Sequence, residues 1–90
     1  MSQVQVISGK SSQPFDTAKL HASIVTACLA VRSHDGEANS TAKQVCQHVA
    51  DWLEGKHEVT SHDIRRIAGE HLAVYQPEAA YLYQNEPFMM

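Results

Sequence analysis

The stretch "SQPFDTAKL", residues 12–20, predicts a strand that runs directly into a helix. Its aspartate, Asp16, is a favourable N-cap, because the carboxylate can accept hydrogen bonds from the N–H groups of the first helical turn. After Asp16, apolar residues recur at spacings of three and four, the pattern of a helix with one apolar face. This face comprises Leu20, Ile24, Ala27, Cys28 and Val31.

The residues before this junction have the composition of a β-hairpin. The sequence "VQVI", residues 4–7, alternates apolar and polar side chains and predicts a short strand. A returning strand is expected around residues 13–15. Between them, "SGKSSQ", residues 8–13, is composed of turn-forming residues, and Gly9 can adopt a positive φ.

A second helix is predicted after a turn over "RSHDGEANS", residues 32–40. Asn39 or Ser40 is the expected N-cap, and Gly55 is expected to end the helix as a C′ glycine. The predicted apolar face comprises Ala42, Val45, Cys46, Val49, Trp52 and Leu53. The two cysteines of the chain therefore fall within helices, where we expect small buried thiols.

The third helix is expected after a brief extended segment around Glu58 and Val59. Thr60 or Ser61 would cap it, and Thr60 with Asp63 resembles a capping box. The predicted inner face comprises Ile64, Ile67, Ala68, His71 and Leu72.

A fourth helix is expected from Pro77, which suits the first helical turn. Ala80, Tyr81 and Tyr83 are expected to face inward, and the hydroxyls of the tyrosines, Tyr75 included, are expected to reach water.

Four helices with one apolar face each predict a four-helix bundle. The fold class is therefore α+β and mostly α, with the bundle covered by a small β-hairpin or a three-stranded sheet. Ninety residues are the size of one small domain, so we expect a single domain over residues 1–90. Its core is expected at about 4–84, followed by a frayed tail at 85–90.

Charge and motifs argue against several function classes. Seven lysines and arginines against ten acidic residues give a net charge of −3, which disfavours direct binding to nucleic acid or to an anionic membrane. We find neither an apolar run of about 20 residues nor a signal-peptide pattern, and a cytoplasmic location is expected.

Metal binding and catalysis have little support in the sequence. The six histidines form neither an HExxH motif nor a paired Cys-x-x-Cys frame with the cysteines, so no metal site is predicted. "SGKSS" lacks the spacing of a P-loop, and no nucleophile elbow occurs. We therefore expect a protein that is not an enzyme.

The order of these elements is similar to that of the ATP-cone domain, the regulatory nucleotide-binding module of many ribonucleotide reductases and of the repressor of their genes. The resemblance is carried by "PFDTAKL" (14–20), "VTSHDI" (59–64) and "PEAAYLYQ" (77–84), and it spans about residues 4–84. The matching positions are Pro14, Phe15, Asp16, Lys19, Leu20, Thr60, Ser61, Ile64, Ala79, Ala80, Tyr81 and Tyr83.

The chain departs from the family pattern at its basic positions. Val6 and Ile7 stand where the family has Lys-Arg, Lys10 lies beyond the turn glycine, and Gln84, Asn85 and Glu86 replace basic residues. Each lost charge-assisted hydrogen bond to a phosphate is worth about 1.5–3 kcal/mol. The departures therefore predict a weakened hold on a triphosphate.

The resemblance implies an adenine nucleotide, ATP or dATP with or without Mg²⁺, between the hairpin and the helices. Residues 13–16 would line the base side, and Lys19 would be the remaining phosphate lysine. A hydroxyl from the start of the third helix would add a polar contact, and Lys10 could replace part of the missing basic pair. The implied nucleotide-binding residues are Lys10, Gln13, Pro14, Phe15, Asp16, Lys19, Thr60 and Ser61.

Each of these residues also has an explanation without a ligand. Phe15 can anchor the hairpin in the core, and Asp16, Thr60 and Ser61 can act as helix caps. Lys19 can belong to a solvated helix face.

Three functions follow. The first is a non-catalytic regulatory domain that couples an adenine nucleotide to a protein partner or to a homo-oligomer. The second is a degenerate ATP-cone that no longer binds nucleotide and serves as an interaction or dimerisation module. The third is an accessory component of a regulator of nucleotide metabolism or of DNA, acting through protein partners.

Overall fold

A computed structural model describes residues 4–85 of the chain. In chain order they form β1 (Gln5–Ser8), β2 (Ser11–Pro14), α1 (Thr17–Ala30), α2 (Asp35–Leu53), β3 (Glu58–Thr60), α3 (Ser61–Tyr75) and α4 (Pro77–Asn85). The predicted fold class, mostly α with a small sheet over a helical bundle, is confirmed. Of the predicted tail, Asn85 belongs to α4, and residues 86–90 lie outside the described part.

The four helices pack in a closed ring, in which each helix contacts two others. Helix α1 packs against α2, α2 against α3, α3 against α4, and α4 against α1. All four contribute to one core of buried side chains. On α3 the core side includes Gly69, which the predicted inner face omits and which packs against the side chain of Gln84 on α4.

Tyr83 is the largest fully buried side chain and ties α4 to α1. Its hydroxyl lies 3.2 Å from Oγ of Ser23, and that Oγ donates a hydrogen bond to the carbonyl of Leu20 at 2.8 Å. The expectation of a solvated Tyr83 hydroxyl is therefore wrong. The inward orientation expected for Tyr81 is wrong as well, since that residue is 72% exposed.

The sheet has the strand order β2-β1-β3. Strand β1 pairs antiparallel with β2 and parallel with β3, so that Val6 lies between Gln13 and Val59. Directly paired residues share a face of the sheet, and successive residues alternate between faces. Val6 packs against the core on the inner face, and the exposed Ser12 donates a hydrogen bond to the Gln5 side chain on the outer face.

The hairpin turn is shorter than predicted. It consists of Gly9 and Lys10 alone, because residues 11–13 already belong to β2. Gly9 has a φ of 61°, and Lys10 has no positive φ, the pattern of a type II′ turn. This turn matches the twist of the two strands.

Helix α2 begins at Asp35, so the predicted turn over 32–40 and the predicted caps Asn39 and Ser40 are wrong. The chain reverses within a few residues because Arg32 adopts a left-handed φ of 67°. Its N–H donates to the carbonyl of Leu29, and the N–H of Ser33 donates to that of Cys28, which is a Schellman motif.

The other predicted helix ends agree with the structure. Asp16 caps α1 and accepts from the N–H groups of Ala18 and Lys19 at 2.9 and 3.3 Å. Thr60 caps α3, and Gly55, with a φ of 82°, follows the last residue of α2 by two positions. Within residues 4–85, the helices are too short or too polar to cross a bilayer.

Candidate functional site

A pocket of about 220 Å³ lies between the hairpin and the first turns of α1 and α3. One wall is the inner face of the sheet, and the other is formed by the starts of the two helices. The residues around it are Val6, Ser8, Ser11, Gln13, Pro14, Phe15, Asp16, Lys19, Leu20, Ser61, Ile64 and Arg65.

The sheet wall of the pocket carries no charge. Val6 pairs with Gln13 and Ser8 pairs with Ser11, so all four side chains belong to the same face. Val6 is one of the two positions where the ATP-cone pattern, which the sequence only resembles, has a basic residue. In this chain an apolar side chain and three polar ones face the pocket instead.

The floor of the pocket is apolar and belongs to the core. Leu20 of α1 and Ile64 of α3 are 2% and 1% exposed, and Phe15 packs against the same cluster. The pocket therefore ends on packed side chains. Phe15 also lines a wider, shallower depression of about 420 Å³ on its other side, toward the end of α2. The hairpin is thus anchored by Phe15, as one interpretation of the sequence predicts.

Two cationic side chains face the pocket from different helices. Lys19 is exposed in the first turn of α1, and Arg65 is half-buried in the second turn of α3. Neither forms an ion pair with a carboxylate of residues 4–85. The adjacent Arg66, by contrast, lies 3.6 Å from Asp63 and 3.4 Å from Glu70. Both pocket cations are therefore available to an anion.

The two helix starts differ in what they offer a ligand. At α1 the carboxylate of Asp16 already accepts from two first-turn N–H groups, so an anion would meet Lys19 rather than backbone donors. At α3 the hydroxyl of Thr60 accepts from the N–H of Asp63 at 3.0 Å. Hydrogen bonding to the Thr60 side chain, with a contribution from Arg66, lowers the pKa of Asp63. Ser61 is half-buried and lines the pocket.

The structure gathers most of the implied nucleotide-binding residues around this pocket. Gln13, Pro14, Phe15, Asp16, Lys19 and Ser61 line it. Lys10, in the hairpin turn, and Thr60, the cap of α3, do not. Arg65 lines it although the sequence interpretation omits it. The sequence could have predicted this from the position of Arg65 one helical turn after Ser61, because residues four apart share a helix face.

Reactive side chains elsewhere lie outside the pocket. Cys28 and Cys46 are free and buried, and burial raises the pKa of both thiols, that of Cys46 to about 11. Thiols of this kind are poor nucleophiles. The imidazoles of His48 and His71 are stacked at 4.4 Å between α2 and α3. Over residues 4–85, no group of three or more His, Cys, Asp and Glu side chains is placed to hold a metal ion.

Comparisons with protein-family models, with curated proteins and with solved structures find no match to this chain. A function for the chain is therefore inferred from the residues of the pocket.

Proposed function

We propose that the protein is a non-catalytic regulatory domain of the ATP-cone kind, which binds an adenine nucleotide in the hairpin pocket. The ligand is ATP or dATP, with or without Mg²⁺, and its occupancy is transmitted to a protein partner or to a homo-oligomer. The observation that carries the proposal is the pair Lys19 and Arg65, two cations without carboxylate partners that face one pocket.

The chemistry of the pocket supports a nucleotide in particular. The apolar floor of the pocket, formed by Phe15, Leu20 and Ile64, suits the faces of a purine ring. The amide of Gln13 can both donate and accept hydrogen bonds at the edge of that ring. Ser61 offers a hydroxyl, and the cations suit a phosphate. A regulatory effect further requires that the nucleotide prefer one assembly state of the protein.

A cytoplasmic location is part of the proposal. It is supported by Cys28 and Cys46, which are free thiols rather than a disulfide.

Thermal unfolding with a panel of ATP, dATP, GTP and CTP tests the proposal. A ligand at ten times its Kd stabilises the folded state by about 1.4 kcal/mol. For a domain of this size that corresponds to a rise in Tm of about 6–11 °C. We expect such a rise with ATP or dATP at millimolar concentration, and a smaller one with the pyrimidine nucleotide.

Lys19→Glu provides the test of the site. The substitution places an acid in the first turn of α1, where it is compatible with the helix dipole, so the fold is expected to persist. We expect the nucleotide-induced rise in Tm to disappear. Lys43→Glu is the matched control, because Lys43 is an exposed helical lysine that does not line the pocket. A rise that survives in Lys19→Glu would mean that the nucleotide binds elsewhere.

A second candidate, the interaction or dimerisation module, is favoured by apolar side chains on the outside of the bundle. Val74 is 77% exposed and Tyr81 is 72% exposed. If this candidate is correct, nucleotides leave Tm unchanged, sedimentation shows dimers whose population rises with concentration, and Val74→Ser with Tyr81→Ser reduces that population.

A further inference from the structure

We infer that the pocket holds a single phosphate group, so that AMP, ADP and ATP bind with similar affinity. The inference rests on the proposed function and states which part of the nucleotide the protein recognises, so that AMP and ADP are ligands as well as ATP. A regulator of this kind responds to the amount of adenine nucleotide and not to its state of phosphorylation.

The size of the pocket is the first argument. Clefts that enclose a whole drug-sized ligand measure about 300–1,000 Å³. This pocket measures about 220 Å³, and the buried side chains of Leu20 and Ile64 close its floor. It has room for part of a nucleotide, and a phosphate chain that extends past the first group must leave it.

The charges around the pocket are the second argument. Its positive charges are Lys19 and Arg65, and the carboxylate of Asp16 opposes them. Together the three groups carry a net charge of +1, which the phosphate of AMP, a monoester with about −1.5 to −2 charges at pH 7, already exceeds. Each added phosphate brings more negative charge, and among residues 4–85 no third cation lines the pocket to receive it.

The sheet wall is the third argument. A chain of phosphates along this wall would meet Val6, Ser8 and Ser11, none of which is charged. Lys10 lies in the hairpin turn and does not line the pocket. The outer phosphates would therefore remain in water, where they neither gain nor lose much interaction with the protein.

The two cations would have different tasks. The guanidinium of Arg65 is planar and can donate two parallel hydrogen bonds to one phosphate, whereas the ammonium of Lys19 acts as a point charge. Arg65→Lys keeps the charge and removes the paired donors. It is therefore expected to weaken the binding of AMP and of ATP by the same factor.

Isothermal titration of the full chain with adenosine, AMP, ADP and ATP at one ionic strength tests the inference. We expect the Kd values of the three nucleotides to agree within threefold and adenosine to bind at least tenfold more weakly. Mg²⁺ is expected to change the Kd of AMP less than twofold. Lys19→Met is expected to raise the Kd values of AMP and ATP by the same factor. Arg66→Met is the control, because Arg66 is adjacent to Arg65 but is paired with Asp63 and Glu70, and it is expected to change neither Kd.

Other results would overturn the inference in distinguishable ways. A gain of tenfold or more from AMP to ATP would show that outer phosphates are held, and the proposed function would stand without the inference. Adenosine binding as tightly as AMP would show that no phosphate is held. A loss confined to ATP in Lys19→Met would assign Lys19 to the outer phosphates. If none of the four compounds binds, both the inference and the proposed function are wrong.

Discussion

Replacing Gly69 with alanine tests the close approach of α3 and α4. A Cβ at this position would lie 2.5 Å from Nε2 and 2.7 Å from Cγ of Gln84, and the three nearest atoms all belong to that side chain. Gly69 has no positive φ, so its backbone does not require glycine. In the interior of an exposed helix the same substitution would stabilise by about 1 kcal/mol.

The contact with Cγ decides whether Gly69→Ala is expected to raise or to lower the free energy of unfolding. Gln84 is exposed and can turn its amide into water, but Cγ moves only if the side chain changes χ1 or α4 shifts. Overpacking of this kind costs about 1–3 kcal/mol. After the gain in helix propensity, Gly69→Ala is expected to destabilise by about 0–2 kcal/mol. In a Gln84→Ala background the overlapping atoms are gone, and the same substitution is expected to stabilise by about 1 kcal/mol.

Urea unfolding of the four proteins, followed by far-UV circular dichroism, measures this double-mutant cycle. Equal m-values would show that the change lies in stability and not in the compactness of the unfolded chain. The coupling energy is expected to be about 1–3 kcal/mol. If Gly69→Ala stabilises both backgrounds equally, the two helices are not in contact at this point and the reasoning fails.

Three further substitutions test other parts of the fold. Arg32→Gly is expected to raise the free energy of unfolding in urea by about 0.5–1 kcal/mol, because a left-handed φ is costly for arginine and not for glycine. Stability is expected to fall as the pH rises from 9 to 11. Over that range the unfolded Cys46 thiol ionises, whereas the folded one keeps its proton until about pH 11. Cys46→Ala is expected to remove about 2 kcal/mol of that fall, measured as unfolding free energy against pH. Tyr83→Phe is expected to cost about 0.5–1.5 kcal/mol through loss of the hydroxyl contact with Ser23.

Each of these has a contrary result. A lower unfolding free energy in Arg32→Gly would mean that this residue is not left-handed. An unchanged slope between pH 9 and 11 in Cys46→Ala would assign the alkaline loss to other groups, such as Cys28. A Tyr83→Phe variant as stable as the parent would place that hydroxyl in water. Ser23→Ala is the companion variant and is expected to be destabilised similarly.

The helix starts show what local chemistry predicts well. Asp16 and Thr60 are caps because their side chains reach N–H groups two or three residues away, and that relation is visible in the sequence. The start of α2 could not be found in this way. Its N-cap, His34, makes no side-chain cap bond, and the preceding reversal depends on Arg32 in a conformation that sequence would assign to glycine or asparagine.

Only part of the pocket could be predicted from the sequence, because some of its residues meet through tertiary contacts. Residues 13–19 are adjacent in sequence, so their convergence at one junction could be predicted. Arg65 joins them only because β3 places the start of α3 beside β1, which is a tertiary relation. In α4, Tyr81 and Tyr83 lie two positions apart and must point to different sides. Packing of Tyr83 against Ser23 selects which one is buried.

The parallel pairing of β1 with β3 has a consequence for the order of folding. Gln5 pairs with Glu58, so more than half of the chain lies between the two partners. Closing so long a loop costs more entropy than closing the hairpin or a pair of adjacent helices, and an isolated hairpin is only marginally stable. We therefore expect the helices to assemble first, and the β1–β2 hairpin to dock last and open first. A molecule bound beneath it would slow unfolding while leaving the rate of folding almost unchanged.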